Sequence, residues 1–205
     1  MHCSRRDALL SFAGAALASS AVGRALAADD KSHMPIIDTH QHLWDLSKFT
    51  LLWQADAPKV LKHNFGLSEY RFATKGLDVR TVYMEVDVAP KQKVQEAKFV
   101  LGECARPEES RMLGAVIGGD PSKPGFENYI KSLGDNKALK GVRQVIHNAD
   151  IPAGYCLRDE FVRGVSFLGD RGLSFDICIR PTELSDAAKL VAKCPNTKFI
   201  LDHCG

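Results

Sequence analysis

The sequence predicts an α/β fold in which the strands form a parallel sheet. Six short runs of apolar and β-branched residues are each bounded by glycine, proline or charged residues, which is typical of buried strands. Segments with apolar residues at helical spacing separate these runs. The alternation repeats every ~25–35 residues, and this repeat indicates βαβ units around a parallel sheet.

The predicted elements follow one another regularly along the chain. The strands are expected at 35–42, 79–87, 112–120, 139–147, 173–181 and 197–205. Helical spacing of apolar residues predicts helices over 91–106, 125–133, 159–170 and 182–193. Periodicity alone leaves two architectures open, which are a barrel of parallel strands and a doubly wound sheet of six strands.

Residues 1–28 have the pattern of a signal peptide. The basic start SRRD at 4–7 precedes an apolar stretch at 8–22, and the small-residue sequence ALA at 25–27 marks a cleavage site. The paired arginines indicate twin-arginine export, and a Sec signal that carries Arg-Arg is the alternative. Either route predicts a periplasmic or secreted bacterial protein, with 29–34 as a short lead before the fold.

Composition narrows the class of partner. A net charge of +2 indicates neither a nucleic-acid binder nor a membrane-surface protein. The apolar stretch of the signal is short for a membrane-spanning helix, so we expect no stable membrane insertion after cleavage. Five cysteines follow residue 28, with irregular spacing and no C-x-x-C motif, and are interpreted as mostly small buried hydrophobes. The expected partner is a small-molecule substrate, and the oligomeric state is not predicted.

A long aromatic connection follows the first predicted strand. The loop at 43–75 contains two tryptophans, at positions 44 and 53, three phenylalanines and one tyrosine. Such a βα connection could cover the mouth of a barrel, where Trp44 would contact a substrate. The alternative is that its aromatic residues only pack the loop against the body of the protein.

Two histidines lie two positions apart at the end of the first predicted strand. Because alternate residues of a strand share a face, Asp38, His40 and His42 are expected on one face. The two imidazoles could bind zinc or manganese. They could instead donate hydrogen bonds to a substrate carboxylate or to a developing oxyanion.

Other predicted strands also carry ionisable residues near their carboxyl ends, namely Glu85 and Asp87, Arg143 and His147, Asp176 and Arg180, and His203. Charged side chains are rarely buried unless they are paired or functional. We therefore expect a pocket at the carboxyl ends of the strands. The alternative is that these strand ends are simply exposed, which fits Glu85 and Arg143 less well because both lie within apolar runs.

Three segments, in this order, carry a resemblance to a known family. IDTHQHLWD at 37–45 resembles the first-strand motif of the amidohydrolase-related family, in its amidohydrolase-2 branch. KGVR at 140–143 resembles the fourth-strand motif, and ILDHCG at 200–205 resembles the sixth. The combination is similar to sugar-acid lactonases and to 2-pyrone-4,6-dicarboxylate lactonase, and it extends from about residue 35 to residue 205.

The resemblance implies a (β/α)8 TIM barrel of the metal-dependent hydrolase type. Residues 35–205 supply about six of its eight βα units, so the chain is expected to be C-terminally truncated or partial. The implied activity is hydrolysis of a small carboxylated lactone. The alternatives are a metal-dependent decarboxylase or amide hydrolase of the same superfamily, or an inactive truncated relic.

The resemblance also implies roles for single residues. His40 and His42 would bind a divalent metal or the substrate, Arg143 would bind a substrate carboxylate, and His203 would polarise the scissile carbonyl or hold a metal. The other candidates for substrate contact are Trp44, His147 and Arg180.

Two departures from the family pattern leave questions open. Many metal-dependent members place a histidine on strand five, where this chain has Asp176, Cys178 and Arg180, so both a zinc or manganese site and metal-independent catalysis are kept. The family's general base is an aspartate at the end of strand eight, beyond the sixth strand. Glu85 is the candidate carboxylate within this sequence.

Overall fold

The structure is a computed structural model, and it describes residues 35–205. The predicted signal peptide and the lead, residues 1–34, lie outside the described residues. Within the described part, no helix is both long enough and apolar enough to cross a membrane.

Six parallel strands form one sheet in which each strand pairs with the next in sequence. They are β1 (Ile36–Gln41), β2 (Val79–Met84), β3 (Met112–Gly118), β4 (Leu139–Val145), β5 (Ser174–Cys178) and β6 (Lys198–Leu201). Each lies inside the range predicted for it, which confirms the parallel α/β class. The sequential order is that of a barrel, because a doubly wound sheet reverses its strand order at a switch point. The sheet curls into a half-barrel with β1 and β6 as its edges.

Among residues 35–205, six α-helices connect the strands. They are α1 (Leu67–Ala73), α2 (Lys93–Cys104), α3 (Pro107–Ser110), α4 (Phe126–Ser132), α5 (Asp159–Asp170) and α6 (Leu184–Lys193). The four predicted helices correspond to α2, α4, α5 and α6. The helices α1 and α3 were not predicted, because α1 has no buried apolar stripe and α3 has only four residues. None of the residues of α1 is buried, and its start is stabilised by the Glu69 carboxylate, which accepts a hydrogen bond from the amide of Gly66.

The main core lies between the outer face of the sheet and the helices. A chain of aromatic rings runs through it from Tyr155 to Phe161, Phe175 and Phe199, with ring centroids 5.5 to 6.4 Å apart. Phe161 and Phe175 are fully buried. The helices are therefore fixed on one side of the sheet, and the other side is left to carry the polar side chains of the site.

A bulge in β1 changes which of its residues share a face. Asp38 pairs with Thr81, but Gln41, three residues later, pairs with Tyr83, only two residues later on β2. Because Thr81 and Tyr83 share a face, Asp38 and Gln41 do too, and His40 lies on the opposite one.

The prediction that Asp38 shares a face with His40 and His42 is therefore wrong. The Asp38 carboxylate instead accepts a hydrogen bond from the hydroxyl of Tyr70 in α1, at 2.7 Å. Its other oxygen accepts a hydrogen bond from the amide of His40, at 3.0 Å. Asp38 thus connects β1 to the aromatic loop and does not contribute to the histidine face.

The aromatic loop at 43–75 both packs on itself and reaches the carboxyl ends of the strands. The rings of Trp44 and Trp53 meet edge to face with centroids 5.6 Å apart. The indole N–H of Trp44 donates to the carbonyl of His63, and that of Trp53 donates to the carbonyl of Val86 just beyond β2. Both tryptophans also line cavities, so packing within the loop and formation of a pocket wall occur together.

Candidate active site

The carboxyl ends of the two edge strands approach each other. His40 on β1 lies 3.8 Å from the Asp202 carboxylate, measured from Nδ1 to Oδ1. The rings of His40 and His203 have centroids 4.9 Å apart. Asp202 and His203 belong to the turn after β6, where His203 has a left-handed backbone with φ of 56°. The curl of the sheet therefore brings together residues that are about 160 positions apart in the sequence.

His40, Asp202 and His203 form a cluster that fits a metal ion. Each offers one ligand atom, and these atoms all lie within 4.8 Å of one another. Nε2 of His40 and Oδ1 of Asp202 are buried and have no hydrogen-bond partner among residues 35–205. Buried polar atoms almost always have a partner, so these two atoms are available to coordinate a metal ion. Burial lowers the pKa of His40, which favours the neutral imidazole that binds metal.

Arg143 on β4 is held by two carboxylates. Its Nε donates to Oε1 of Glu85 at 2.7 Å, and its Nη2 donates to the Glu85 carbonyl at 2.6 Å. Its Nη1 donates to Oδ2 of Asp202 at 3.3 Å. All three side chains are buried. This ion-pair network fixes both the guanidinium and the carboxylate of Asp202 in place.

Glu85 occupies a supporting position. Its side chain is fully buried, with one oxygen on Arg143 and the other accepting a hydrogen bond from the amide of Asp87, at 2.8 Å. The carboxylate proposed from sequence as a catalytic group therefore lies behind Arg143 and does not line the cavity described below.

Near the cluster, buried carboxylates outnumber buried cationic groups. Glu85 and Asp202 face the single guanidinium of Arg143. Asp176 on β5 lies nearby, and burial together with the negative charge of Asp202 raises its pKa to about 7. A divalent cation beside His40 and Asp202 would compensate this excess negative charge.

A first cavity of about 430 Å³ opens at the carboxyl ends of β2 and β4. Four of the residues predicted for the site line it together, namely His42, Trp44, Arg143 and His147. Nδ1 of His42 lies 3.0 Å from the carbonyl of Met84. A carbonyl only accepts, so Nδ1 carries the proton and Nε2 has a free lone pair. Burial, with a smaller effect of Arg143, lowers the pKa of His42 to about 4 and keeps the ring neutral.

The structure separates some of the predicted residues from this group. Arg180 pairs with Glu183 at 2.6 Å and donates hydrogen bonds to the carbonyls of Asn148 and Ile151. It therefore stabilises the loop after β4, and it does not line the cavity. His42 is close to His40, with ring centroids 4.8 Å apart, but it is not a member of the metal-competent cluster.

Asp202 is a candidate site residue that sequence reasoning missed. It ends an apolar strand in the same way as the charged residues that were selected, and it lies within the sixth-strand motif ILDHCG at 200–205. That signal could have identified it. Its ligand geometry could not be predicted, because it depends on the distant residues His40 and Arg143.

Comparison with known proteins gives a consistent assignment. The family model described as Amidohydrolase (Amidohydro_2) matches residues 37–205. A solved structure of amidohydrolase 2 from Bifidobacterium longum subsp. infantis is 26% identical with a TM-score of 0.60, covering 81% of this chain and 60% of that one.

Two further solved structures share the fold. An amidohydrolase from Burkholderia multivorans with bound zinc has a TM-score of 0.66 at 22% identity, covering 84% of this chain and 58% of that one. A probable 2-pyrone-4,6-dicarboxylic acid hydrolase from Acinetobacter baumannii with bound citric acid has a TM-score of 0.64 at 13% identity, covering 84% of this chain and 59% of that one. The chain spans about 60% of the length of these relatives.

The half-barrel, its order of strands and the polar cluster at the carboxyl ends agree with this match. The family model covers far more than half of the chain, and it includes all six strands apart from the first residue of β1. The chain belongs to the amidohydrolase family.

Proposed function

We propose that this protein is a hydrolase that opens a small carboxylated lactone and uses a divalent metal. The observation that carries the proposal is the cluster of His40, Asp202 and His203. Nε2 of His40 and Oδ1 of Asp202 have no hydrogen-bond partner among the described residues, and Asp202 is bound to Arg143, which lines the first cavity. A metal ion held by the cluster can recognise a carbonyl electrophile, and the guanidinium of Arg143 can recognise a carboxylate of the same molecule.

In this proposal, His40, Asp202 and His203 hold the metal. A divalent ion bound there would supply Lewis acidity toward a carbonyl oxygen and would favour the ionisation of water. Imidazole and carboxylate ligands suit zinc and manganese. The zinc in the Burkholderia multivorans amidohydrolase supports this choice of ion.

Arg143 is the proposed contact for the substrate carboxylate. Its guanidinium lines the cavity and is already oriented by Glu85 and Asp202, so little side-chain entropy is lost when it binds an anion. His42 would accept a hydrogen bond at Nε2 from a substrate hydroxyl or from water, because its Nδ1 is engaged with Met84. The probable pyrone-dicarboxylic acid hydrolase among the similar structures acts on a substrate of this class, as its name says.

The experiment compares lactone opening by the full chain in the presence and absence of added zinc. Sugar lactones and 2-pyrone-4,6-dicarboxylate are the substrates, and proton release in a weak buffer follows ring opening. Asp202→Asn is expected to lower zinc-dependent turnover by about 100-fold or more, since even supporting residues of metal sites cost 10- to 100-fold. Asp135→Asn, at a highly exposed carboxylate, is the matched control.

The outcomes separate the proposal from its alternatives. Zinc-dependent opening that is lost in Asp202→Asn and kept in Asp135→Asn is the expected result. Failure to open any lactone, with or without zinc, contradicts the proposal. Release of carbon dioxide from an aromatic carboxylate instead would favour a decarboxylase of the same superfamily.

A further inference from the structure

A second cavity adjoins the first one. It has a volume of about 930 Å³ and lies at the carboxyl ends of β2, β3 and β4. The two cavities share the lining residues Trp53, Asp87, Val145 and Asn148. The first cavity is near the lower limit for ligand sites and is large enough for a single lactone ring. The second cavity, here called the outer chamber, is therefore available to a further part of the same molecule.

The aromatic walls of the outer chamber are fixed in place. The indole N–H of Trp53 donates to the carbonyl of Val86 at 2.8 Å. The hydroxyl of Tyr155 donates to the Asp120 carboxylate at 2.7 Å, and that of Tyr129 donates to the carbonyl of Gly118 at 3.2 Å. Trp53 and Tyr129 are half-buried and can present ring faces to a ligand, whereas Tyr155 is buried and the guanidinium of Arg158 lies over its ring.

The polar groups of the chamber combine donors with acceptors. The ammonium of Lys93, at the start of α2, donates to Oε1 of Gln144 at 3.1 Å and lies 3.7 Å from the Asp87 carboxylate. Its side chain is only 13% exposed. Asn148 adds an amide that can both donate and accept. Asp87 has a left-handed backbone, with φ of 50°, a conformation that costs energy in a non-glycine residue and often marks functional sites.

The charges of the chamber disfavour an anionic ligand. Lysines at two lining positions, 93 and 123, face aspartates at four, 56, 87, 120 and 150. Hydroxyl groups can donate to these carboxylates and accept from Lys93 and the amides. A neutral ring with several hydroxyls and a C–H face satisfies both the aromatic walls and the mixed polar groups.

We propose that the outer chamber binds a neutral glycosyl unit attached to the lactone, so that the preferred substrate is a glycosylated lactone. The substrate assignment rests on the proposed lactone hydrolysis, whereas binding of the glycosyl unit does not require turnover. Lys93, Asp87 and Gln144 bind its hydroxyls, and Trp53 contacts its apolar face at the boundary between the two cavities.

The test blocks the chamber without removing any buried contact. Val94 is 42% exposed on α2 and lines only the outer chamber, so Val94→Trp narrows it from the surface. Lys98 is exposed on the same helix about one turn later and lines neither cavity, so Lys98→Trp is the matched control. Gluconolactone and its glycosylated form, cellobionolactone, are the substrates. Neither carries a free carboxylate and they differ only in the glycosyl unit, so the contact with Arg143 does not enter the comparison. Calorimetric binding of the corresponding acids, gluconate and cellobionate, gives a readout that is independent of turnover.

We expect wild-type protein to bind cellobionate at least tenfold more tightly than gluconate. Val94→Trp should remove this preference and raise KM for cellobionolactone about tenfold, with gluconolactone unaffected, and Lys98→Trp should change neither value. Lys93→Met should also weaken cellobionate binding, through loss of a hydrogen-bond donor in the chamber.

Other outcomes distinguish this inference from the proposed function. Tighter binding of cellobionate that Val94→Trp abolishes, in a protein that opens neither these lactones nor 2-pyrone-4,6-dicarboxylate, would support the chamber and contradict lactone hydrolysis. Equal binding of the two acids, or a cellobionate preference that survives Val94→Trp, would overturn the assignment of the chamber.

Discussion

Glu96 should make the stability of this protein fall as the pH rises from about 5 to 8. Its side chain lies on α2 and is only 1% exposed. Oε1 accepts hydrogen bonds from the hydroxyl of Tyr83 and the amide of Val86, both at 2.9 Å, and Oε2 has no partner among the described residues. Burial, followed by the negative charge of Glu85, raises the pKa of Glu96 from 4.5 to about 7.

The sign of the effect follows from proton binding. Below pH 4.5 the carboxyl is protonated in both the folded and the unfolded chain, so its contribution to stability is fully present. Between 4.5 and about 7 the unfolded chain releases the proton while the folded protein retains it, and the free energy of unfolding falls. At about 1.4 kcal/mol per pH unit, the loss at pH 8 amounts to about 3 kcal/mol. This is a large part of the ~5–15 kcal/mol that a typical domain has.

The measurement is urea unfolding of the wild type and of Glu96→Gln at about pH 5, 6, 7 and 8. Glutamine is neutral throughout and keeps the oxygen that accepts from Tyr83 and Val86. Relative to the wild type, the free energy of unfolding of the variant should rise by roughly 2 to 3 kcal/mol between the two ends of this range, because part of the effect already lies below pH 5. Glu108→Gln, at an exposed position of α3, is the control and should show no such trend. A difference between Glu96→Gln and wild type that stays constant within about 0.5 kcal/mol would refute the reasoning.

Three further predictions test the site and the sheet. Asp202→Asn should weaken zinc binding at least about tenfold in equilibrium dialysis, because a carboxylate ligand is lost, and equal zinc content in both proteins would contradict the cluster. Gly141→Ala should cost about 2 kcal/mol or more in urea unfolding, since its Cβ would lie 2.8 Å from a backbone oxygen of β5. Its control is Gly102→Ala on α2, where the added Cβ would meet nothing within 4 Å and the free energy of unfolding should rise by up to about 1 kcal/mol. Equal effects of the two substitutions would disprove the close approach of β4 and β5 at Gly141. Tyr70→Phe should cost about 1 kcal/mol through loss of the hydrogen bond to Asp38, and unchanged stability would argue against the orientation that the β1 bulge creates.

Local patterns predicted much of the fold. All six strands and four of the connecting helices, α2, α4, α5 and α6, lie within the predicted ranges, because apolar periodicity and chain-breaking residues act over a few positions. Local apolar periodicity does not predict α1, since a side-chain cap and packing within the aromatic loop stabilise its seven residues.

The site was predicted in part for a similar reason. His42, Trp44, Arg143 and His147 were selected from their positions at or just after strand ends, and the curl of the sheet places them around one cavity. Arg180 was selected by the same rule, but it turns aside because carbonyls of the loop after β4 and a nearby glutamate occupy its guanidinium.

By itself, the sequence determined the parallel α/β class and the ionisable residues at the strand ends, since both are encoded in short segments. Only the tertiary structure decided three other features: the bulge that turns Asp38 away from His40, the placement of Glu85 behind Arg143, and the meeting of His40 with Asp202. Each depends on contacts between strands that are distant in the chain, and the register and curvature of a sheet arise only when those strands pair.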